Sequence, residues 1–354
     1  KYLFLYLSQK KEFHTYWMTD NDRIFKFLKE NKYRVIKRKS LKSILILIRA
    51  AFVISCGESY PNFLNLISKD TIKISLRHGA GPKYSGVSYK INKIKKISKL
   101  NDNGQDFIKE INKSDYINFT SKKLAEIFIN NFDISSKKVK IFGFARCDMF
   151  FKKKIIQNLY SKKLITKKFF KINKGEKVIL YAPTWRLNDK KLPIERLTNF
   201  NWKNFDSFLK KKNYYCLINL HTYTNVKIKE KLERIKLINR TEFFDINELL
   251  PEIDVLITDY SAIATDFALL KRKILYVIPD YKQYKKINGF FRDIIKFNTG
   301  VICQNSKNLF NNIVNENISQ IEKKKNNQYL KFYYDTKNKN SNQNIYMFLK
   351  NFKF

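Results

Sequence analysis

Short boxes in this chain place titratable side chains where apolar runs end. Arg77-His78-Gly79-Ala80-Gly81-Pro82-Lys83 follows Ile72-Lys73-Ile74-Ser75-Leu76. His221 and Thr222 close the run Leu217-Ile218-Asn219-Leu220. Leu256-Ile257-Thr258-Asp259-Tyr260-Ser261-Ala262 passes from apolar residues to hydroxyls and a carboxylate. Imidazole titrates near neutral pH, so His78 and His221 can take up a proton or meet an anion. Glycines at 79 and 81 let a backbone come close to a ligand and offer N–H groups to an anion, and Lys83 adds a point charge. A lone histidine after a strand is more often structural than catalytic; here each sits inside a dense polar box. His14 lies outside any box. Thr184 and Arg186, after Val178-Ile179-Leu180-Tyr181, suit a phosphate or nucleotide, or else form a packing corner. Arg146 and Asp148 read either as acceptor-side groups or as a structural ion pair between domains.

The elements that must position these boxes follow from periodicity. Apolar runs at 34–36, 51–55, 72–76, 116–120 and 139–142 read as strands. Residues 42–49, and the stretch from the N-cap Ser121 to about 131, read as helices. A second series has strands at 178–181, 214–220, 237–238, 254–258 and 274–278, with a helix over 202–211 and another that includes 266–270. The Lys-rich stretch from Phe150 to Lys177, helical in pattern, contains the domain boundary. The Asn/Lys/Tyr-rich tail from about Asn326 turns helical again near Tyr346 to Phe354. Strands alternating with helices imply parallel sheets, which bind ligands beyond the carboxyl ends of their strands. We therefore expect an α/β chain with Rossmann-like parallel-sheet domains at 1–160 and 161–330, and a tail at 331–354 that packs back on the first. Two such halves facing a central cleft is the GT-B architecture; the rhythm alone also fits other two-domain α/β enzymes.

Size and charge agree with this. At 354 residues the chain suits two domains, and 44% hydrophobic residues suffice for their cores. A net charge of +40 favours polyanions: an anionic membrane face, a phosphate-rich substrate or nucleic acid. Lysine and asparagine are abundant throughout, as in proteins of AT-biased genomes, so composition alone accounts for part of the charge. The spread of lysines and the lack of any helix-turn-helix, RNA-binding or zinc module argue against nucleic acid. Cys56, Cys147, Cys216 and Cys303 have no metal-binding spacing and read as reduced thiols. Asp20-Asn21-Asp22 mimics a metal-binding Asp-x-Asp motif, but it precedes a helical pattern and reads as a cap. Ile44 to Ile54 is too short to span a bilayer, and no secretory signal is visible. Because the sequence starts at Lys1 without a methionine, the absence of a targeting segment is provisional.

Taken in order, the boxes resemble the CDP-glycerol glycerophosphotransferase family of teichoic-acid and capsule enzymes. The resemblance runs from about Ser40 to Asp293. It is carried by Ser40-Leu41-Lys42 with Ala50-Ala51-Phe52-Val53-Ile54, by Arg77-His78-Gly79 with Pro82-Lys83, and by Gly143-Phe144-Ala145-Arg146-Cys147-Asp148. Tyr181-Ala182-Pro183-Thr184-Trp185-Arg186, Asp245-Ile246-Asn247-Glu248-Leu249-Leu250, Ile257-Thr258-Asp259-Tyr260-Ser261 and Gly289-Phe290-Phe291-Arg292-Asp293 complete it. This chain departs from the family pattern at Arg77, where an aromatic is replaced. It departs again at Ala145, where proline is usual, at Ala262, where a second serine is usual, and in the glycine-rich spacer 79–82.

The resemblance implies a GT-B transferase that moves a polyol phosphate, glycerol phosphate first, from a CDP-activated donor to a glycan or lipid-linked hydroxyl, with CMP leaving. It implies His78 and His221 as the catalytic residues, His78 as the base for the acceptor, with Arg77, Gly79, Gly81, Lys83, Arg146 and Asp148 on that side. Thr184, Arg186, His221, Thr222, Thr258, Asp259, Ser261 and Ala262 would hold the donor, Asp259 either orienting His221 or holding a polyol hydroxyl. No cofactor is expected, and Mg²⁺ is at most stimulatory. The protein is expected on the cytoplasmic face of the membrane, docked through Lys93-Ile94-Lys95-Lys96 and through Lys152 to Lys154 with Phe150, Phe151 and Ile155. A CMP- or UDP-sugar glycosyltransferase of capsule or lipopolysaccharide synthesis is the alternative, and a non-catalytic membrane adaptor is a reading of another class.

Overall fold

The structure, a computed structural model, describes residues 1–56, 68–82, 112–132, 134–151, 170–173, 175–186, 189, 191–221, 224, 228, 232–238, 245–315, 317–335 and 340–353. Lys83, Thr222 and the basic stretches at 93–96 and 152–154 lie outside the described residues. The chain divides into two compact units: Lys1–His78 with Lys90–Lys152 and Tyr334–Phe354, and Gly79–Tyr89 with Lys153–Tyr333.

In the first unit, β1 (Trp17–Met18) and β2 (Val35–Ile36) form a small parallel pair. A second sheet has β3 (Phe52–Ser55), β4 (Ile72–Ser75), β5 (Tyr116–Phe119) and β6 (Val139–Ile141) side by side in chain order, all parallel. Ser121 starts the helix Lys122–Phe132 as its sequence suggests, its hydroxyl accepting from the Leu124 N–H. Asn21 of the Asp20-Asn21-Asp22 triplet caps the helix Asp22–Glu30 through the Ile24 N–H, so this motif is a helix start. The core joins Leu3 and Leu7 of the first helix, Ile74 and Leu76, Phe142, and Ile345, Tyr346 and Leu349 of the helix Ser341–Lys350.

The second unit is a six-stranded sheet: β7 (Lys177–Ala182), β8 (Tyr214–Ile218), β9 (Ile235–Leu237), β10 (Val255–Thr258), β11 (Lys273–Tyr276) and β12 (Val301–Ile302). All neighbours are parallel, in the order β12-β11-β10-β7-β8-β9. The chain starts at the centre, runs out to β9, returns beside β7 with β10 and runs out the other way. That is the doubly wound dinucleotide-fold order, and its switch point lies between β7 and β10. Ile179, Leu180, Leu256 and Ile257 are fully buried, because strands covered by helices on both faces must be apolar on both. The helix Trp202–Lys211, capped by Asn201, packs Trp202, Phe205 and Leu209 into that core. The edge strand read at 237–238 lies at 235–237.

Candidate active site

At the switch point Thr258 pairs with Ala182, so the residues that follow β7 and β10 lie side by side. The Asp259 carboxylate is 1% exposed and accepts the Thr184 N–H at 2.9 and 3.0 Å. Arg186 Nη1 donates to Asp259 Oδ2 at 2.7 Å and to the Thr184 carbonyl at 2.8 Å. Its Nε and Nη2 grip both oxygens of Asp280, just beyond β11, at 2.6 and 3.0 Å. The Tyr260 hydroxyl donates to Asp280 Oδ1 at 3.0 Å. The Tyr260 and Tyr284 rings stack at 3.9 Å, and the guanidinium carbon lies 5.4 and 5.5 Å from their centroids. Arg186 therefore ties together the ends of β7, β10 and β11.

The electrostatics follow from burial. Desolvation opposes ionisation of Asp280, but hydrogen bonds and charge from Arg186, with the Tyr260 hydroxyl, hold its carboxyl below the usual range. Burial and the neighbouring Asp280 push the Tyr260 phenol up, so it stays a donor. Desolvation works against the charge on Arg186, yet the two carboxylates raise its pKa further. A bidentate arginine with several of its donors engaged inside the fold is a clamp. In this structure the Arg186 side chain, from which a phosphate contact was expected, is 10% exposed and turned towards two carboxylates. Likewise Asp259 spends its oxygens on Thr184 and Arg186 rather than on a free polyol hydroxyl. The Thr258 hydroxyl is buried and donates to the Ala182 carbonyl at 2.7 Å, a bond within the sheet.

Other groups lie at the same strand ends. The hydroxyl oxygen of Thr184 is buried with no hydrogen-bond partner among the described residues. His221, exposed just past β8, has its ring 6.1 Å from that of Trp185. Ser261 Oγ accepts the Ile263 N–H at 3.4 Å, and Ala262 precedes a helix of six residues, Ile263–Ala268. The glycine turn belongs to this unit too. A β-carbon built on Gly79 or Gly81 would stand 3.3 Å from the Ala262 Cβ, and the Phe291 N–H donates to the Pro82 carbonyl at 3.1 Å. Close approach, not a left-handed backbone, is what favours glycine here, since neither residue is among those with positive φ.

The remaining candidates lie in the first unit. Arg77 takes φ 55°, a left-handed conformation that turns the chain out of β4 and leaves His78 exposed. Its side chain is buried, with the guanidinium carbon 3.8 Å from the Phe128 centroid and 5.2 Å from that of Phe119. Arg146 stacks 4.1 Å from the Phe144 centroid. Asp148 is 3% exposed and accepts the N–H groups of Ser341 and Asn342 at 2.8 Å each, capping the helix Ser341–Lys350. Burial raises its pKa against those bonds. Where an acceptor-side group or an ion pair was expected, the carboxylate caps a helix within the first unit. Sequence reasoning missed Asp280, Tyr260 and Tyr284. Asp280 had a signal: Ile274 to Ile278 followed by Pro279-Asp280 repeats the strand-then-carboxylate layout of Asp259. Among the described residues no group of three or more His, Cys, Asp or Glu side chains is placed to hold a metal ion.

Comparison with known proteins bears on what this arrangement serves. A model of the CDP-glycerol:poly(glycerophosphate) glycerophosphotransferase family matches residues 1–351. The teichoic acid glycerol-phosphate transferase of Staphylococcus aureus (strain NCTC 8325 / PS 47) is 30% identical over 312 residues, 86% of this chain and 77% of that protein. The teichoic acid poly(glycerol phosphate) polymerase of Bacillus spizizenii is 31% identical over 207 residues, 57% of this chain; the match spans 51% of that relative, about half its length. The structure of the wall teichoic acid polymerase TagF superposes with a TM-score of 0.78 at 22% identity, covering 99% of this chain and 84% of the other. A putative UDP-N-acetylglucosamine 2-epimerase from Listeria monocytogenes gives 0.57 at 12%, covering 99% and 91%. These likenesses show the fold, an α/β chain of GT-B type. With its family profile matched almost from end to end, the chain belongs to the CDP-glycerol:poly(glycerophosphate) glycerophosphotransferase family.

Proposed function

We propose that this chain transfers a polyol phosphate, glycerol phosphate first, from a CDP-activated donor to a hydroxyl of a glycan or lipid-linked acceptor. The observation that carries the reading is the grouping at the switch point of the second sheet. There Thr184, His221 and Ser261 stand beyond neighbouring strand ends, with the glycine turn 79–82 laid against Ala262. That is where a doubly wound sheet takes a nucleotide or its phosphates. The acceptor oxygen attacks the phosphorus that bears the polyol; the bond to the CMP oxygen breaks, and CMP leaves with the electron pair. His78 takes the acceptor proton. His221 and Ser261 bind the diphosphate, with Thr184 beside them at the end of β7. The Arg186 clamp holds these groups without touching substrate.

The reaction proceeds without a divalent metal, charge being met by side chains and backbone N–H groups. The protein works at an anionic membrane surface on the cytoplasmic side. No helix among the described residues is long and apolar enough to cross a bilayer.

A donor panel tests the reading: CDP-glycerol, CDP-ribitol, CMP-sialic acid and UDP sugars, each with and without EDTA, scored for free nucleotide and for phosphate kept in the product. We expect CMP release from a CDP-polyol, phosphate in the product and no loss in EDTA. Turnover of only a CMP- or UDP-sugar would replace this function by glycosyl transfer.

A further inference from the structure

The helix Leu41–Ile48 is built inside out. Its buried face carries Ser43, 0% exposed, and Leu47, while Leu41, Leu45 and Ile48 are 82%, 64% and 50% exposed. Ser43 is fixed there by its hydroxyl, which donates to the carbonyls of Arg38 and Ser40 at 2.6 Å. The exposed positions recur at i, i+4 and i+7, one continuous ridge along the helix. A surface helix of a globular protein ordinarily shows the reverse, and a contiguous apolar ridge on the outside marks an interaction face.

The surroundings say what covers it. Between Lys29 and Arg49 the sequence carries one carboxylate, Glu30. Lys39, Lys42 and Arg49 are exposed around the ridge. Beside it lies a groove of about 580 Å³ whose lining includes Tyr16, Lys29, Tyr33, Arg34, Lys37 and Lys42, with Lys42 shared between groove and helix. Of these, Lys37 pairs with Asp22. A second copy meeting this face about a twofold axis would set like charges against like. An anionic bilayer neutralises the basic collar, and its acyl region accepts a convex apolar ridge without needing a matching groove.

We propose that Leu41, Leu45 and Ile48 insert into the surface of an anionic membrane, with Lys39, Lys42 and Arg49 on its headgroups and the adjoining basic groove taking a lipid phosphate. This deepens the membrane-surface part of the proposed function and rests on it for its biological sense; the binding itself does not depend on turnover. It moves the docking face from the basic stretches singled out in the sequence to an N-terminal helix.

The test is flotation of the full chain with vesicles of phosphatidylcholine, alone or mixed with phosphatidylglycerol. The variant Leu41→Ser/Leu45→Ser/Ile48→Ser should bind the mixed vesicles about a hundredfold more weakly, as expected for withdrawing partly inserted aliphatic side chains. Lys39→Gln/Lys42→Gln should lose binding chiefly at low salt. Lys323→Gln/Lys324→Gln, the same charge change on an exposed part of the helix Gln320–Tyr333, should bind as wild type. Leu45→Trp keeps an apolar ridge; it should bind, and its emission should shift to the blue on mixed vesicles relative to wild type. Circular dichroism checks folding of each variant.

Unchanged binding by the folded serine variant overturns the proposal. So does sedimentation that shows a wild-type dimer broken by that variant while vesicle binding persists, which would assign the ridge to a second copy. Turnover on a soluble acceptor separates the two claims: a chain that floats but turns over no CDP-polyol loses the transferase reading and keeps the docking face.

Discussion

Gly81 lies so close to Ala262 that a β-carbon on the glycine would sit 3.3 Å from the alanine Cβ and 3.4 Å from its Cα. Two departures from the family pattern, a glycine-rich spacer and an alanine in place of a second serine, are therefore one packing contact. Gly81→Ala should cost about 1–3 kcal/mol through overpacking and should lower turnover by displacing the turn. Combined with Ala262→Gly, it should recover much of both losses. Urea unfolding and turnover of the single and double variants measure the coupling, and strictly additive effects would show that the contact is not what glycine serves there.

The Arg186 clamp should make stability depend on acid. The folded carboxyl of Asp280 lies below the ordinary range, so the unfolded chain binds its proton first as pH falls. The stabilisation from Asp280 is complete above the unfolded value of about 3.9 and is lost as pH falls through the depressed folded value. Asp280→Asn should cost about 1.5–3 kcal/mol at neutral pH, the worth of a charged hydrogen-bonded contact, since Asp259 still pairs Arg186. The gap between variant and wild type should narrow below about pH 4. Unfolding free energies from pH 7 to 3 that kept a constant gap would remove Asp280 as the titrating partner.

The histidines should separate by what they lose. His78→Ala should lower turnover by about 10²–10⁴, the usual range for a positioned acid–base group, while CDP affinity holds. His221→Ala and Ser261→Ala should each weaken CDP binding by about 1.5–3 kcal/mol as well as slowing turnover. Calorimetric titration of CDP and steady-state rates give both numbers. Equal CDP affinity in wild type and both second-unit variants would move the donor elsewhere.

Uninterrupted apolar runs made β7, β10 and β11 legible, the cap Ser121 did the same for the helix starting at Lys122, and periodicity alone for the helix starting at Trp202. The helix Gln320–Tyr333 was hidden in an Asn/Lys/Tyr-rich stretch because its buried face includes polar residues, Glu322 and Asn326. Glu322 there meets Lys273 Nζ at 3.2 Å, a pair no hydrophobic periodicity can reveal. The strand ends of the candidate site were readable as boxes, but the direction of each side chain was not. Arg186 and Asp148 look like ligands in a sequence, because the same charges that would bind a substrate also clamp strands and cap helices. Only the positions of Asp280 and of Ser341 and Asn342 show which use the fold makes of them.

The buried carboxylate of Asp148 closes the first unit onto Ser341 and Asn342, almost two hundred positions further along the chain. A polypeptide leaving the ribosome amino end first must therefore complete nearly all of the second unit before the first can finish its core. Until then Leu3, Leu7 and Ile74 lack their partners Ile345 and Leu349. Synthesis order thus runs against domain order: the half that begins first is sealed last. Proteolytic loss of the segment after Tyr333 would reopen an already translated core, whereas a nick within the second unit would leave that seal in place.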